Sequence, residues 1–235
     1  MKKINFDYAG YDEYLYTGIQ GFFMRKNHEI LSKRIPSICN KVILEIGGGA
    51  KPHCSLVKLN GVEEYWISDS PRVLDGKCEL SHHNLKKHYY NDDPNFKNFK
   101  KSGKLFTRII ASHVLEHVHN PEETLLKWVD LLSDDGVLDI AIPCDPGYAW
   151  RLGQLLGRKK AKKLYNLSSA DIDLLMTREH INSCQNLIRI IKSYTNKRGR
   201  YFPLFIPIVD VNLFVIFRLY KSDFIRTTDL QLVSM

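Results

Sequence analysis

The chain has 235 residues, of which 44% are hydrophobic and 26% charged, and it has no run of 18 or more apolar residues. This composition is ordinary for a globular protein, the length allows a full hydrophobic core without disulfides, and the pattern predicts no membrane-spanning helix. The formal net charge of +8 favours an acidic partner, such as a phosphorylated or carboxylated substrate, an anionic membrane or nucleic acid.

The cysteines and the first residues bear on the cellular compartment. The five cysteines are scattered and form no C-x-x-C pair, which indicates neither a zinc site nor a disulfide framework. The residues that follow Met1 lack the apolar middle of a signal peptide. We therefore expect a cytoplasmic protein.

Two regions are predicted along the chain. Residues 1–40 are rich in aromatic side chains and predict a mainly helical lead-in, and residues 41–235 predict one domain. Short apolar runs bounded by turn residues predict seven strands, at residues 42–46, 64–68, 88–90, 105–111, 137–142, 201–206 and 211–219. A 3.6-residue apolar period predicts one helix from Pro121 and another over 181–194, with residues 177–182 at its start.

The order of these elements predicts an α/β fold. Strands that alternate with helices form a doubly wound, mostly parallel sheet with right-handed crossovers. The last two strands are too close in sequence for a crossover helix, so we expect the seven-stranded sheet to end in an antiparallel hairpin. The lead-in forms an N-terminal helical cap.

A glycine-rich loop follows the first predicted strand. Glu45 ends that strand, and Gly47, Gly48 and Gly49 let the backbone turn tightly and approach a ligand. Asp69 ends the second strand, where a carboxylate can accept hydrogen bonds from a ribose. These features suit either NAD or S-adenosylmethionine, while a glycine turn that binds nothing is the simplest alternative.

Two details favour the methyl donor over NAD. The loop lacks the later glycine of G-x-G-x-x-G, which lets a helix approach a pyrophosphate. The carboxylate of Glu45 would repel a pyrophosphate but suits the ammonium group of a methionine moiety, directly or through water.

Four segments resemble the motifs of class I methyltransferases. They are Glu45-x-Gly47-x-Gly49, the segment 68–71, the segment 106–121 with its Val-Leu-Glu-His-Val core, and the segment 134–143. The segment 106–121 is similar to the fourth-strand motif of the type 11 methyltransferase group. The resemblance covers residues 42–143 and implies a Rossmann-like fold, S-adenosylmethionine as cofactor, and Ser112, His113 and His117 in the lining of its pocket.

The sequence departs from this family pattern at three points. Lys51 replaces a small residue of the loop, and Thr107 replaces the usual Asp after Phe106. The acid that often binds the adenine amine after the third strand is not obvious. Asp92 is our choice, with Asp93 and Asp75 as rivals.

The segment His113-Val114-Leu115-Glu116-His117 raises the question of a metal ion. His and Glu at short spacing can bind divalent ions, and some methyltransferases with a related E-x-x-E-H pattern bind magnesium. Because the type 11 group carries Leu-Glu-His without a metal, the sequence predicts none. In that interpretation Glu116 and His117 brace the loop, and His117 caps the next helix or binds backbone.

We expect an insertion over residues 144–180 to form the acceptor side, meaning the part of the site that binds the molecule to be methylated. The insertion follows the fifth strand at the edge of the sheet where ligands bind. His180 is the first candidate for a general base and Asp145 the second. The alternative for His180 is a purely structural place at a helix start. Tyrosines of residues 8–16 either close over the cofactor or pack in the core.

The leading hypothesis is an S-adenosylmethionine-dependent methyltransferase that acts on an oxygen of a small molecule, sugar or glycan precursor. The basic segment 158–163 suits a phosphorylated or acidic acceptor, although a solvated helix face is its simpler interpretation. The alternatives are an NAD-dependent oxidoreductase and a degenerate fold that acts as a binding partner. No RNA-binding signature is present, so a nucleic-acid acceptor is not expected, and peripheral contact with a membrane stays open.

Overall fold

The computed structural model describes residues 15–49, 51–74, 84–165 and 167–224. The tyrosines at positions 8, 11 and 14 and the adenine candidate Asp75 lie outside these residues. No helix within the described ranges is long and apolar enough to cross a membrane.

One seven-stranded sheet organises the chain. Its strands are β1 Val42–Ile46, β2 Glu64–Asp69, β3 Leu85–Tyr89, β4 Phe106–Ser112, β5 Leu132–Pro143, β6 Arg200–Phe202 and β7 Phe214–Tyr220. The order across the sheet is β3-β2-β1-β4-β5-β7-β6. The first five strands pair in parallel, while β7 pairs antiparallel with both β5 and β6. The predicted fold class, including the antiparallel hairpin at the end, is confirmed.

Helices connect these strands. The α-helices in the described part of the chain are α1 Gly18–Ser32, α2 His53–Leu56, α3 Pro71–Leu74, α4 Lys97–Ser102, α5 Pro121–Asp130, α6 Tyr148–Tyr165, α7 Ser169–Glu179 and α8 Cys184–Tyr194. Short 3-10 turns occur at Ser37–Asn40, Leu115–His117, Val209–Val211 and Lys221–Asp223.

The acceptor-side region differs from its predicted form. Residues 144–180, which look irregular in sequence, contain α6 and α7. The helix expected from residues 177–182 begins instead at Cys184, because the Ser183 side chain accepts the backbone N–H of Asn186 and caps it. His180 is therefore the C-cap of α7 and lies in the connection to α8, so the prediction that it starts a helix is wrong.

Apolar side chains cover both faces of the sheet. On one face Ile109 and Leu138 pack with Trp128 of α5 and Ile191 of α8. On the other face the alternate residues, including Ile43 and Ile110, pack with Leu31 of α1. Strand side chains alternate between the faces, so both must be covered by helices in a doubly wound sheet.

A buried ion pair ties α1 to the sheet. Nε of Arg108 donates to Oδ2 of Asp139 at 2.8 Å, and Arg218 donates to Oδ1 at 2.7 Å. Both Arg108 and Asp139 are fully buried, and Nη2 of Arg108 also donates to the carbonyl oxygen of Leu31 at 2.8 Å. These bonds anchor the C-terminal end of α1 against one face of the sheet. The anchored helix then extends toward the carboxyl ends of the strands.

Candidate functional site

The strand order reverses between β1 and β4, and a cavity opens at their carboxyl ends. In open α/β sheets this switch point is where ligands bind. The cavity has a volume of about 850 Å³, within the usual range for small-molecule sites. Residues from several distant segments line it, among them Glu45, Gly47, Gly48, Gly49, Lys51, Ser112, His113, Glu116, His117 and His180.

The glycine loop contributes its main chain to this cavity. Gly47 and Gly49 have φ angles of 69° and 60°, a left-handed conformation that side chains disfavour. A Cβ atom on Gly47 would lie 2.6 Å from Cγ2 of Val114, and one on Gly48 would lie 2.9 Å from Cγ2 of Ile67. The turn is thus packed against the strand ends and leaves its backbone to face a ligand.

Asp69 lies beside this loop at the end of β2. Its Oδ2 accepts the N–H of Gly49 at 2.9 Å, and Oδ1 accepts the N–H of Ser70 at 2.6 Å. Burial raises the pKa of Asp69 in spite of these two hydrogen bonds. Each carboxylate oxygen can accept a second hydrogen bond, so Asp69 can still accept hydrogen bonds from the hydroxyl groups of a ribose.

Glu45 has a structural environment that the sequence did not reveal. The residue is 2% exposed, its Oε1 accepts the N–H of His53 at 2.7 Å, and its Oε2 accepts the hydroxyl of Tyr65 at 2.6 Å. Burial raises the pKa of Glu45 to about 7, although both donors oppose that change. Glu45 therefore fixes the start of α2 relative to β1 and β2. The contact of Glu45 with the ammonium group of a ligand stays a prediction.

The two acids that follow β3 have different environments. Asp93 is buried, and its carboxylate accepts the N–H groups of Lys97 and Asn98 at 2.7 and 2.9 Å. Asp92 is exposed in the turn after the strand. Asp93 is thus occupied in holding the first turn of α4, and Asp92 is the acid that remains accessible to a ligand.

Ser112 and His113 end β4 and contact α1. Nδ2 of Asn27 donates to Oγ of Ser112 at 2.8 Å and lies 3.5 Å from Nε2 of His113. His113 has a φ of 58°, a strained conformation for a residue with a side chain. Its ring stacks on Trp150 of α6 with centroids 6.2 Å apart. The wall of the cavity therefore joins α1, β4 and α6.

The turn Leu115–His117 is held to the connection between α7 and α8. The carbonyl oxygen of Glu116 accepts the N–H groups of Ile181 and Asn182 at 3.0 and 3.1 Å. Nδ1 of His117 donates to the carbonyl oxygen of Glu179 at 2.8 Å. His117 thus binds backbone, and the expected alternative that it caps α5 is wrong because Asn120 accepts the N–H of Glu123 there.

Glu116 points into a group of histidines. The residue is 1% exposed, and Nδ1 of His113 and Nε2 of His117 each lie 3.6 Å from its Oε1. Burial alone would raise the pKa of Glu116, but His113, His117 and His180 outweigh it and the pKa is lowered. The carboxylate is therefore ionised beside the cavity.

His180 and Asp145, the two acceptor-side candidates, are in direct contact. Nδ1 of His180 lies 2.7 Å from Oδ2 of Asp145. The carboxylate can only accept, so it holds the proton on Nδ1 and leaves Nε2 of His180 as an acceptor. Burial alone would lower the pKa of His180, but Asp145 and Glu116 outweigh it and the pKa is raised.

The structure thus brings most predicted site residues together. Glu45, the three glycines, Ser112, His113, His117 and His180 share one cavity, Asp69 and Asp145 touch it through hydrogen-bonded neighbours, and Asp92 lies in the turn after β3. The sequence did not indicate two residues of α1, Asn27, which donates to Ser112, and His28, which lines the cavity. Both side chains are polar but buried, and a sequence pattern cannot distinguish a buried polar residue of a helix from an exposed one.

Comparison with known proteins gives one family and a set of related folds. A family model described as a methyltransferase domain matches residues 20–171, more than half of the chain. A search of curated proteins finds none that matches this sequence.

Three solved structures are similar to the chain in fold. An O-methyltransferase family protein from Burkholderia thailandensis has a TM-score of 0.56 at 12% identity, with 88% of this chain and 57% of that chain covered. An S-adenosylmethionine-dependent methyltransferase from Mesorhizobium loti has a TM-score of 0.53 at 13% identity, with 82% and 96% covered. The N-methyltransferase NodS from Bradyrhizobium japonicum has a TM-score of 0.51 at 14% identity, with 84% and 96% covered.

The residues of the cavity fit S-adenosylmethionine. A glycine loop offers its main chain, a carboxylate stands at the end of β2, and the volume suits a ligand of that size. The match of the family model, the strand order and this geometry agree. The chain therefore belongs to the methyltransferase domain family.

Proposed function

We propose that this enzyme transfers a methyl group to an oxygen atom of a hydroxylated small molecule, sugar or glycan precursor. The observation that carries the proposal is one cavity that contains both the glycine loop and His180, whose Nδ1 is fixed by Asp145 at 2.7 Å. A neutral amine can attack a methyl group without a base, whereas a hydroxyl must lose its proton. An oriented base therefore favours an oxygen acceptor.

The chain's own residues have separate tasks in this reaction. S-adenosylmethionine supplies an electrophilic methyl group on a sulfonium. Gly47, Gly49 and Asp69 would hold the cofactor, Nε2 of His180 would receive the hydroxyl proton, and Asp145 would stabilise the charged imidazole. Once bound, the cofactor would give its methyl group to the acceptor oxygen, and the departing thioether would keep the electron pair of the carbon–sulfur bond. The residues act mainly by positioning.

The walls of the cavity support an acceptor with an apolar or aromatic part. Leu152, Leu175 and Phe214 line the cavity, and the ring of Trp150 stacks on that of His180 with centroids 6.3 Å apart. We assign residues 144–180 to this acceptor side, within a catalytic domain over 41–235. An acidic or phosphorylated group that extends out of the cavity would meet Arg151, which is exposed on α6 between the lining residues Trp150 and Leu152.

The test is transfer of a labelled methyl group from S-adenosylmethionine to small-molecule fractions of a cell extract, followed by identification of the product. We expect an O-methylated product, and His180→Ala should lower its turnover by roughly 10²- to 10⁴-fold with little change in cofactor affinity. The exposed His119 gives a matched control, and His119→Ala should leave turnover unchanged. An N-methylated product would contradict the oxygen assignment, and cofactor binding without any transfer would favour a degenerate binding protein.

A further inference from the structure

Three side chains with metal-binding atoms meet on the acceptor side of the cavity. One possible ligand atom from each of Glu116, His117 and His180 lies within 4.8 Å of the other two. Bonds of about 2.1 Å to a shared ion require ligand atoms about 3–4 Å apart. Side-chain movements of about an ångström would therefore bring the three atoms around one ion.

Among the described residues, the carboxylate of Glu116 has only ion-pair contacts of 3.6 Å, with His113 and His117, and accepts no hydrogen bond. The residue is 1% exposed, and both carboxylate oxygens are buried without a hydrogen bond. A buried carboxylate without hydrogen bonds is costly, and native proteins hydrogen-bond such groups or use them to coordinate metals. Of the histidines near it, His117 and His180 are the two whose ligand atoms lie close to each other as well as to Glu116, among the described residues.

Both histidines present the nitrogen that a metal needs. Nδ1 of His117 donates to the carbonyl oxygen of Glu179 at 2.8 Å, and Nδ1 of His180 donates to Asp145 at 2.7 Å. Each ring therefore carries its proton on Nδ1, so that Nε2 keeps its lone pair. Metal-binding histidines show this arrangement, in which the second nitrogen donates to a carbonyl or carboxylate.

The backbone holds the three residues in place before any ion binds. Nδ2 of Asn182 donates to the carbonyl oxygens of Leu115 and Val118 at 3.1 and 2.6 Å, and the N–H of Asn182 donates to Glu116. These bonds join the turn after β4 to the connection after α7, so ligands from distant parts of the sequence stay together.

We infer that Glu116, His117 and His180 bind a divalent transition-metal ion beside the methyl-transfer site. Two imidazoles and one carboxylate suit zinc and similar ions, and open coordination positions would admit the acceptor hydroxyl. The ion would lower the pKa of that hydroxyl, whose proton leaves to solvent. Nε2 of His180 cannot bind the ion and accept a proton at once, so in the metal-bound enzyme the ion replaces His180 as the group that activates the hydroxyl. This role rests on the oxygen acceptor of the proposed function.

The test is calorimetric titration of the chelator-treated full chain with Zn²⁺. The wild type should bind one ion, and Glu116→Gln should weaken binding by at least 10-fold because it replaces the anionic ligand. Asp145→Asn should weaken it by roughly 10- to 100-fold through the orientation of His180. The matched control His119→Ala changes an exposed histidine two positions from His117 and should bind like the wild type.

The results separate this inference from the proposed function. Binding of S-adenosylhomocysteine to Glu116→Gln shows that the variant is folded, so weaker zinc binding in that variant supports the site. Equal zinc affinity in the wild type and Glu116→Gln, or an equal loss in His119→Ala, overturns the site. O-methylation that survives complete metal removal overturns the ion's catalytic role and leaves the proposed function intact, whereas one bound ion without any methyl transfer contradicts the proposed function alone.

Discussion

Oδ2 of Asp69 accepts the backbone N–H of Gly49 at 2.9 Å, so the acid at the end of β2 and the glycine loop after β1 form one unit. Residues 20 positions apart in sequence are thereby fixed at adjacent strand ends. This contact places an acceptor for ribose hydroxyls beside main chain that can approach the rest of the cofactor.

Asp69→Ala should lower the affinity for S-adenosylmethionine by roughly 10- to 100-fold. A hydrogen bond to a charged group contributes about 1.5–3 kcal/mol, and 1.4 kcal/mol corresponds to tenfold. Calorimetric titration of the variant measures the loss directly. A loss below about threefold, in a variant with unchanged thermal unfolding, would remove Asp69 from the cofactor site.

Gly49→Val should weaken cofactor binding strongly, because the new side chain would crowd the loop. Part of any effect will come from the left-handed backbone, where a β-branched residue is strained. Gly61 has a φ of 73° and open space around it, so Gly61→Val carries similar strain away from the cavity. Both variants should lose stability, but only Gly49→Val should lose affinity for S-adenosylmethionine. Equal affinities in the two variants would count against the pocket assignment.

Alanine variants of Asp92 and Asp93 should have different effects, the first on cofactor affinity and the second on the free energy of unfolding. Asp92→Ala changes an exposed side chain and should weaken binding while the free energy of unfolding stays within about 0.5 kcal/mol. Asp93→Ala removes the acceptor for two N–H groups of α4 and should cost about 1–3 kcal/mol. Urea denaturation and cofactor titration of both variants check this. If Asp92→Ala binds normally, the adenine amine is recognised elsewhere.

Stability should fall as the pH rises through the range in which Glu45 titrates. Its pKa is raised from 4.5 to about 7 in the folded protein, so the folded state holds a proton that the unfolded state releases. The stabilisation is complete below pH 4.5 and is lost as the pH rises to about 7, at roughly 1.4 kcal/mol per pH unit.

Glu45→Gln isolates this effect, because it mimics the protonated carboxyl and cannot titrate. The free energy of unfolding of the variant minus that of the wild type should increase between pH 5 and 7, when both are measured by urea denaturation. A difference that stays constant with pH would show that Glu45 is already ionised in the folded state at pH 5.

The sequence predicted the sheet well because its signals are local. Apolar runs that end in glycine, aspartate or proline mark the strands, and the short link before the last strand indicates antiparallel pairing. The third strand was less well defined. It covers Leu85–Tyr89 instead of residues 88–90, because Lys86 and Lys87 are exposed and break the apolar pattern.

The site was harder to predict where it depends on contacts between distant residues. The residues of β1, β2 and β4 could be found from strand ends and motifs. The pair His180–Asp145 and the attachment of Asn182 to the Leu115–His117 turn join segments separated by 35 and about 65 residues, for which no local pattern exists. The role of Thr107 was similarly hidden, since its Oγ1 accepts the N–H of Val42 at 3.0 Å and supports the start of β1.

The most direct test of the account is calorimetric titration of the purified chain with S-adenosylhomocysteine, S-adenosylmethionine and NAD⁺. We predict that the first two ligands bind at one site per chain, that Asp69→Ala weakens both, and that NAD⁺ produces no binding heat. Binding of NAD⁺ without binding of either sulfur ligand would contradict the assignment of the cavity to the methyl donor.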